Sequence, residues 1–453
     1  MNTPTRRSPA ARTALALGPA VALLVCAGAA MAQASFPAVF VANNGNLEGS
    51  VTSYGFSAAG VPQVIQKFVI GSTPSTSQPV AGTNAYAIDR SPDGRHLLIS
   101  HATAATTVEQ LTLLRVHADG TMSLVNTFTT PDSPLDLQWL TDDLVAVSQT
   151  QYLGFNGVHL YRIDPDVGTL SEVDFEDTEG FTAYITKHPT RPLLFATESD
   201  SRRVFCFGYD GTGLKLIDQQ FAGTYLLGPG VSPDGLHVYG NGGISGNTVT
   251  GFSIEASGLL TSLPSTYPAG STSPKQIAFS PDGLFAYVAH GTTSAVRLHR
   301  RDAATGELSI VQFQTQVGIQ GSLGDIGSIM LPEPLGQTFL LTDRDTISDG
   351  VRGLQAYGIN SATGFLTPRG SRIDSTGTSP SQFVTWVPAG ISCPADFTGD
   401  GFVDDSDFVI FAAAYDQFTI PPADPAADLT GDGFVDDADF VVFAAAYDQF
   451  ACP

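Results

Sequence analysis

Thirteen aspartates fall between residues 393 and 453, a stretch without a single Glu, Lys or Arg. Their spacing is that of an oxygen cage, written twice. In the first copy Asp396, Thr398 and Asp400 take positions 1, 3 and 5, and Gly401 stands where the chain must turn sharply. The carbonyl of Phe402 fills position 7, and Asp404 and Asp407 stand at positions 9 and 12. The second copy repeats the set with Asp428, Thr430, Asp432, Gly433, Phe434, Asp436 and Asp439. Oxygens converging in this way suit a hard divalent cation, and without one the clustered carboxylates repel one another. Two ions are expected, one per loop, with binding coupled to folding of the segment. Residues 395–418 and 427–450 differ at three of 24 aligned positions, Phe397/Leu429, Ser406/Ala438 and Ile410/Val442, so one unit has been duplicated.

Each copy resembles the calcium loop of an EF-hand, with Asp in place of Glu at position 12 and Thr at position 3. The Asp is shared by dockerin type I repeats, a loop followed by one helix, twice, which these copies resemble. The resemblance implies Ca2+ as the ion, a cohesin-like or surface protein as partner, and a polysaccharide setting. After each loop Phe408, Phe411, Ala412 and Tyr415, and again Phe440, Phe443, Ala444 and Tyr447, gather on one helix face. Such a stripe builds the core between two helices, and any exposed remainder is a docking surface.

A second set of candidate groups comes once per repeat upstream. Between residues 36 and 389 a unit recurs: an apolar strand, a tight turn, a second apolar strand, an alternating strand and a Gly-Leu-like turn. The tight turn is written in full as Ser91-Pro92-Asp93-Gly94, Ser232-Pro233-Asp234-Gly235 and Ser280-Pro281-Asp282-Gly283. Pro presets the backbone, Asp bonds back to the chain and Gly accepts positive φ, so the turn joins antiparallel strands. Alignment of the units leaves one polar residue at the end of each second strand: Asn43, His101, Gln149, Glu198, Asn241, His290 and Asp343.

The strands that carry these groups begin near Ala85, Leu135, Ala183, Tyr225, Gln276, Ile326 and Gln382, seven in all. The last has no second strand after it, whereas the repeats open on an orphan strand, Val39-Phe40-Val41-Ala42. Pairing the two closes a ring with no open edge. The expected fold is therefore mainly β, a seven-bladed β-propeller over residues 33–389. A short linker at 390–392 and a small α-helical calcium-binding module at 393–453 follow it.

The segments Leu284-Phe285-Ala286-Tyr287-Val288-Ala289-His290, Val296-Arg297-Leu298-His299-Arg300 and Thr305-Gly306-Glu307-Leu308 resemble the lactonase-type seven-bladed propellers, relatives of bacterial 6-phosphogluconolactonase. The resemblance covers about residues 36–389. It brings in one expected function, an exported lactonase-like hydrolase acting on a lactone or sugar-derived ester. His101, His290 and Glu198 would then be catalytic, and Asn43, Gln149, Asn241 and Asp343 ligand-binding, around the mouth of the axial channel. Imidazoles and carboxylates can share acid and base work near neutral pH. A satisfied loop network explains the same polar ring, because strand ends need partners for their backbone groups. In the family a Pro-Arg-His motif precedes some inner strands. Here Pro274-Lys275-Gln276 and Pro380-Ser381-Gln382 stand in its place, which weighs against lactone hydrolysis. The leading expectation is instead a secreted binding or display protein, attached through its calcium-loaded tail to a partner, a cell surface or an extracellular assembly. A carbohydrate or lactone is the expected ligand of its propeller.

Composition bounds these readings. The chain has 453 residues, 47 Gly and 29 Pro but only 14% charged residues, which excludes a coiled coil or simple helical bundle. Its net charge of −23 excludes nucleic acid as a partner. Arg6, Arg7 and Arg12, an Ala/Leu/Val stretch and Ala30-Met31-Ala32 read as a signal peptide over residues 1–32, cleaved before Gln33, with an uncleaved anchor as the runner-up. That leader holds three Arg and no acid, so the mature chain carries −26 and no membrane span, and is destined for the periplasm, the cell surface or beyond. In an exported chain Cys393 and Cys452 are expected to form a disulfide joining the two ends of the tail, worth about 4 kcal/mol on the loop-entropy relation. Cys206 reads as a buried, inert thiol, and His188 as a surface residue. No nucleophile elbow, His-Glu-x-x-His helix, phosphate-binding loop or Cys-x-x-Cys pair occurs.

Overall fold

The computed structural model describes residues 36–74, 80–102, 110–150, 156–223, 226–243, 246–290, 295–312, 323–332, 334–344, 351–388, 395, 397, 405–415, 427–430 and 434–447. Short apolar runs separated by turn formers fold as antiparallel strands, and these assemble into seven sheets, six of four strands and one of five. We number them blades I to VII by their inner strands: Pro380–Trp386, Ala85–Arg90, Ser133–Thr141, Thr182–Lys187, Leu227–Val231, Pro274–Phe279 and Leu323–Leu331. Each begins within three residues of its expected start. The seam closes as the sequence implies, with Ala38–Asn44 pairing antiparallel to Pro380–Trp386, Val39 opposite Thr385 and Val41 opposite Phe383. Beside it the Arg90 guanidinium of blade II lies 4.7 Å from the Trp386 ring centre and donates to the Thr385 carbonyl at 2.7 Å. Blade II is thereby tied to the seam.

The second strands are buried on both faces, which is why they read as unbroken apolar runs. Val39, Val41, Leu97, Leu98, Phe195 and Val288 are all fully covered, packed between one sheet and the next. Each such side chain stabilises the packed blades by roughly 1.5–3 kcal/mol. The three Ser-Pro-Asp-Gly turns behave identically. The Ser hydroxyl donates to the Asp carboxylate at 2.5–2.6 Å, and Gly94, Gly235 and Gly283 sit at φ near 70°. His188 departs from the surface reading. It is buried, its Nδ1 accepts the N–H groups of Thr190 and Arg191, and its Nε2 lies 2.9 Å from the Gly235 carbonyl. One imidazole thus takes over the work that Ser and Asp do in the other turns.

Every inner strand is bulged against its neighbour near its start, and the bulges shape the channel. At three blade junctions the bulge is bridged in the same way. Ser100, Ser148 and Thr342 accept the bulge N–H of Ala87, Asp136 and Asp325, and donate to the carbonyls of Leu135, Ala183 and Ser381 in the next blade. At the same junctions a carboxylate reaches one blade onward: Asp89 to the Trp139 N–H, Asp136 to the Ile185 N–H, Asp325 to the Phe383 N–H, at 2.7–3.1 Å.

In the tail, helices α1 (Asp405–Tyr415) and α2 (Asp437–Tyr447) follow the two Asp-rich segments. Their Phe411 and Phe443 rings stack at 4.9 Å inside a small core with Ala395, Ala414, Ala427 and Val435. Asp436 caps α2 by accepting the Ala438 N–H, while Asp439 accepts that of Asp436, a reciprocal arrangement that orders the helix start. Among the described residues no helix is long and apolar enough to cross a membrane, and Cys206 is free and buried. The leader, Cys393 and Cys452 lie outside the described residues.

Candidate active site at the channel mouth

Two side chains from opposite sides of one blade make the floor of the site. Tyr86 of blade II and Tyr184 of blade IV come from inner strands flanking blade III, and their hydroxyls meet at 2.8 Å. Above them opens a cavity of about 810 Å³ whose wall includes Asn44, Asn84, Phe181, Lys275 and Arg344. Among the described residues Lys275 and Arg344 are its charged side chains and no acid lines it, in a chain whose net charge is −23. Arg344 is steadied by donating from Nε to the Ser379 hydroxyl at 3.0 Å. Burial, with help from neighbouring Arg344, pushes the Lys275 amine down to about 8.

Beneath the floor lies a smaller cavity of about 290 Å³, sharing Tyr184 and lined by Asp136, Asp325, Gln276 and Gln382. Burial pushes both carboxyls up to about 7, against the N–H donors that favour their charged forms. Tyr86 and Tyr184 are raised above the ordinary phenol range, first by burial, so both remain protonated donors near neutral pH.

The seven ring residues take a different place. His101 is fully buried, with its ring nitrogens 2.9 Å from the Thr83 carbonyl and the Thr112 hydroxyl. Burial drives it down to about 4, so it is neutral at pH 7. His290 lies between the Thr272 and Ala269 carbonyls, and burial lowers it as well. Glu198 accepts the N–H groups of Asp200 and Ser201. Asn43 donates to Ser50 and Thr52, Gln149 to Tyr161, Asn241 to the Gly228 carbonyl, and Asp343 pairs with Arg372. None of the seven lines the mouth cavity. His101, His290 and Glu198, expected as acid and base groups, each bond to groups of neighbouring loops and strands here.

Yet the cavity wall begins one residue further on. Asn44, Ala102 and Arg344 line it, each directly after a ring residue. Because successive strand side chains point to opposite faces, a shift of one residue exchanges the buried face for the open one. Tyr86 and Tyr184 likewise stand one residue after Ala85 and Ala183. The sequence signal for these positions is a large polar or aromatic side chain at the bulge of an otherwise apolar inner strand.

Residues 39–186 and 230–322, together more than half of the chain, match the family described as lactonase, seven-bladed β-propeller. The chain belongs to that family. Solved structures sharing this lactonase-family fold include a periplasmic gluconolactonase of Pseudomonas aeruginosa. It is 19% identical, with 78% of this chain and 99% of that one covered and a TM-score of 0.61. A candidate 6-phosphogluconolactonase of Bacteroides fragilis is 18% identical, with 77% and 98% covered and a TM-score of 0.59. A protein from Lactobacillus plantarum, 17% identical, aligns with 78% and 99% covered and a TM-score of 0.61. A search of curated proteins finds no match to the chain. At these identities the solved structures speak for the lactonase fold alone.

In the tail, Asp407 and Asp439 are fully buried, and Asp439 also accepts the Thr430 N–H at 2.8 Å. Asp428, Phe434 and Asp436 are described beside it, whereas Asp396, Thr398, Asp400, Phe402, Asp404 and Asp432 lie outside the described residues. Among the described residues no group of three or more His, Cys, Asp or Glu side chains is arranged to hold a metal.

Proposed function

We propose that this chain is an exported lactonase-family hydrolase that opens a small lactone carrying an acidic group. The observation that carries the reading is the mouth cavity, with two cationic side chains, no acid among the described residues and a hydrogen-bonding tyrosine floor. Arg344, with the amides of Asn44 and Asn84, would hold the substrate's anionic group. Of the bonded pair Tyr86 and Tyr184, the hydroxyl that accepts from its partner would donate its own proton to the lactone carbonyl as negative charge gathers on that oxygen. Neutral Lys275 would take a proton from the attacking water, for which an amine titrating near 8 is well matched. Asp136 and Asp325, beneath the floor, would hold the tyrosines' surroundings acidic and polar without touching the substrate.

Assays of the full chain against gluconolactone and 6-phosphogluconolactone test this directly. Turnover should rise with pH through about 8, as Lys275 loses its proton, and should favour the phosphorylated substrate. Turnover that is flat from pH 6 to 9, or absent for both lactones, would remove the reading.

The tail supports a second reading that is compatible with the first. We infer that it is a dockerin-like module that binds two Ca2+ ions, is closed by a Cys393–Cys452 disulfide and attaches the propeller to a cohesin-like or other surface protein. The supporting observation is that the duplicated helices leave matching apolar pairs on the surface, Phe408 and Val409 at 43% and 67% exposed, and Phe440 and Val441 at 44% and 67%. Calorimetric titration of the full chain with Ca2+ should register two ions. A chain that takes up none would end this reading.

A further inference from the structure

Four lysines occur in the whole chain, Lys67, Lys187, Lys215 and Lys275, and their settings differ. Lys67 pairs with Glu48 at 2.9 Å, and Lys187 donates to the Trp139 carbonyl at 2.6 Å. Lys215 is exposed on the outer strand of blade IV. Lys275 alone lines the mouth cavity, at the bulge that opens the inner strand of blade VI. Where the lactonase-type motif has an arginine, this chain has a side chain whose nitrogen can lose its proton and become a nucleophile.

We propose that Lys275 forms a reversible imine with small aldehydes or ketones that carry an acid group, with Arg344 holding the acid. The wall supplies what such a reaction requires. The amine is half-buried beside a guanidinium, the tyrosine pair can donate to a carbonyl oxygen, and the space above holds a compact organic acid. The Nζ lone pair adds to the carbonyl carbon to give a carbinolamine. Water then leaves as one proton is taken up from solvent, and the product is a protonated imine, with no electrons transferred. Hydrolysis reverses each step. Two charges act on the group: Arg344 disfavours its ammonium form and Asp325 favours it, while burial outweighs both. The proposal rests on the cavity and not on lactone turnover, so either can fail without the other.

Glyoxylate with cyanoborohydride, which reduces an imine to a stable secondary amine, provides the test on the full chain. Peptide mapping by mass spectrometry should find about one equivalent on Lys275, favoured about ten-fold or more over the other three lysines. The labelling rate should rise through pH 8 rather than pH 10, and Lys275→Arg should abolish it. Label spread over Lys67, Lys187 and Lys215, or no label at all, would overturn the proposal, and the wild-type map decides this even if the variant does not fold. Acetaldehyde, which lacks the acid, should label more slowly; equal rates would overturn the role given to Arg344.

Discussion

The ring of second-strand ends and the part of the cavity wall made by Asn44, Ala102 and Arg344 stand one residue apart, yet their surroundings are opposite. Asn43, His101, Glu198, His290 and Asp343 are buried to within 1% of full coverage, and each is held by neighbours in its own surroundings. Asn44 and Arg344, next along the same strands, are half-buried and face the cavity. Polar residues that recur in every repeat answer a need that recurs in every repeat, the pairing of a strand end. The cationic and tyrosine side chains of the wall occur in single blades, as a ligand held once and asymmetrically in the channel would require.

This contrast predicts that wall substitutions lose activity and keep the fold, and that ring substitutions do the reverse. The largest effect is expected at Lys275→Met, which should cut lactone turnover by about 10²–10⁴-fold, the usual range for a lost general base, while leaving the melting temperature near that of the parent. Comparable losses of activity and stability together would erase the distinction.

Next is Arg372→Ala. It removes the cation paired with the Asp343 carboxylate, whose side chain is 1% exposed, and should cost about 3–5 kcal/mol in denaturant unfolding. A loss under about 1 kcal/mol would show that this ring position is not structural.

The carboxylates beneath the floor sharpen the comparison through pH. Asp136 titrates near 7 when folded, above its unfolded value of 3.8, so the folded state holds the proton more tightly. Its contribution is therefore fully present below pH 4 and is lost as pH rises to 7. Asp136→Asn should remove this slope, so that the stability difference between variant and parent shifts toward the variant by roughly 2–4 kcal/mol between pH 4 and pH 8. An unchanged difference across that range would contradict a raised carboxyl.

The smallest effect is expected at His101→Ala, a loss of about 1–3 kcal/mol from the bonds given up by the Thr83 carbonyl and by the Thr112 hydroxyl, which keeps Gln110, with lactone turnover within about two-fold of the parent. A large kinetic defect with normal stability would return His101 to the catalytic machinery.

The blade count was legible because the Ser-Pro-Asp-Gly turns and the orphan strand at Val39 are local patterns with only one antiparallel reading. The tail core was legible too, since Phe411 and Phe443 meet as their helical spacing requires. The cavity wall was not. Its position depends on the inner-strand bulges, and a single extra residue moves Tyr86, Tyr184 and Lys275 to the opposite face from the one simple alternation gives. Nor could His188 be read as a turn clamp across blades, because its partner Gly235 becomes a neighbour only when blades IV and V pack together. The junction hydroxyls Ser100, Ser148 and Thr342 look like ordinary strand residues until the next blade is present to accept from them.

The seam has a consequence for the order in which the molecule can mature. The strand at Ala38–Asn44 is made first and waits for Pro380–Trp386, more than three hundred residues later, before blade I can be completed. A growing chain can assemble blades II to VII one after another but must hold an unfinished sheet edge until nearly all of the propeller has been synthesised. Any nonsense or frameshift event upstream of Trp386 should therefore yield a gapped, protease-sensitive ring rather than a smaller working propeller. It would also lack the tail, which is translated only after the residues that seal the circle.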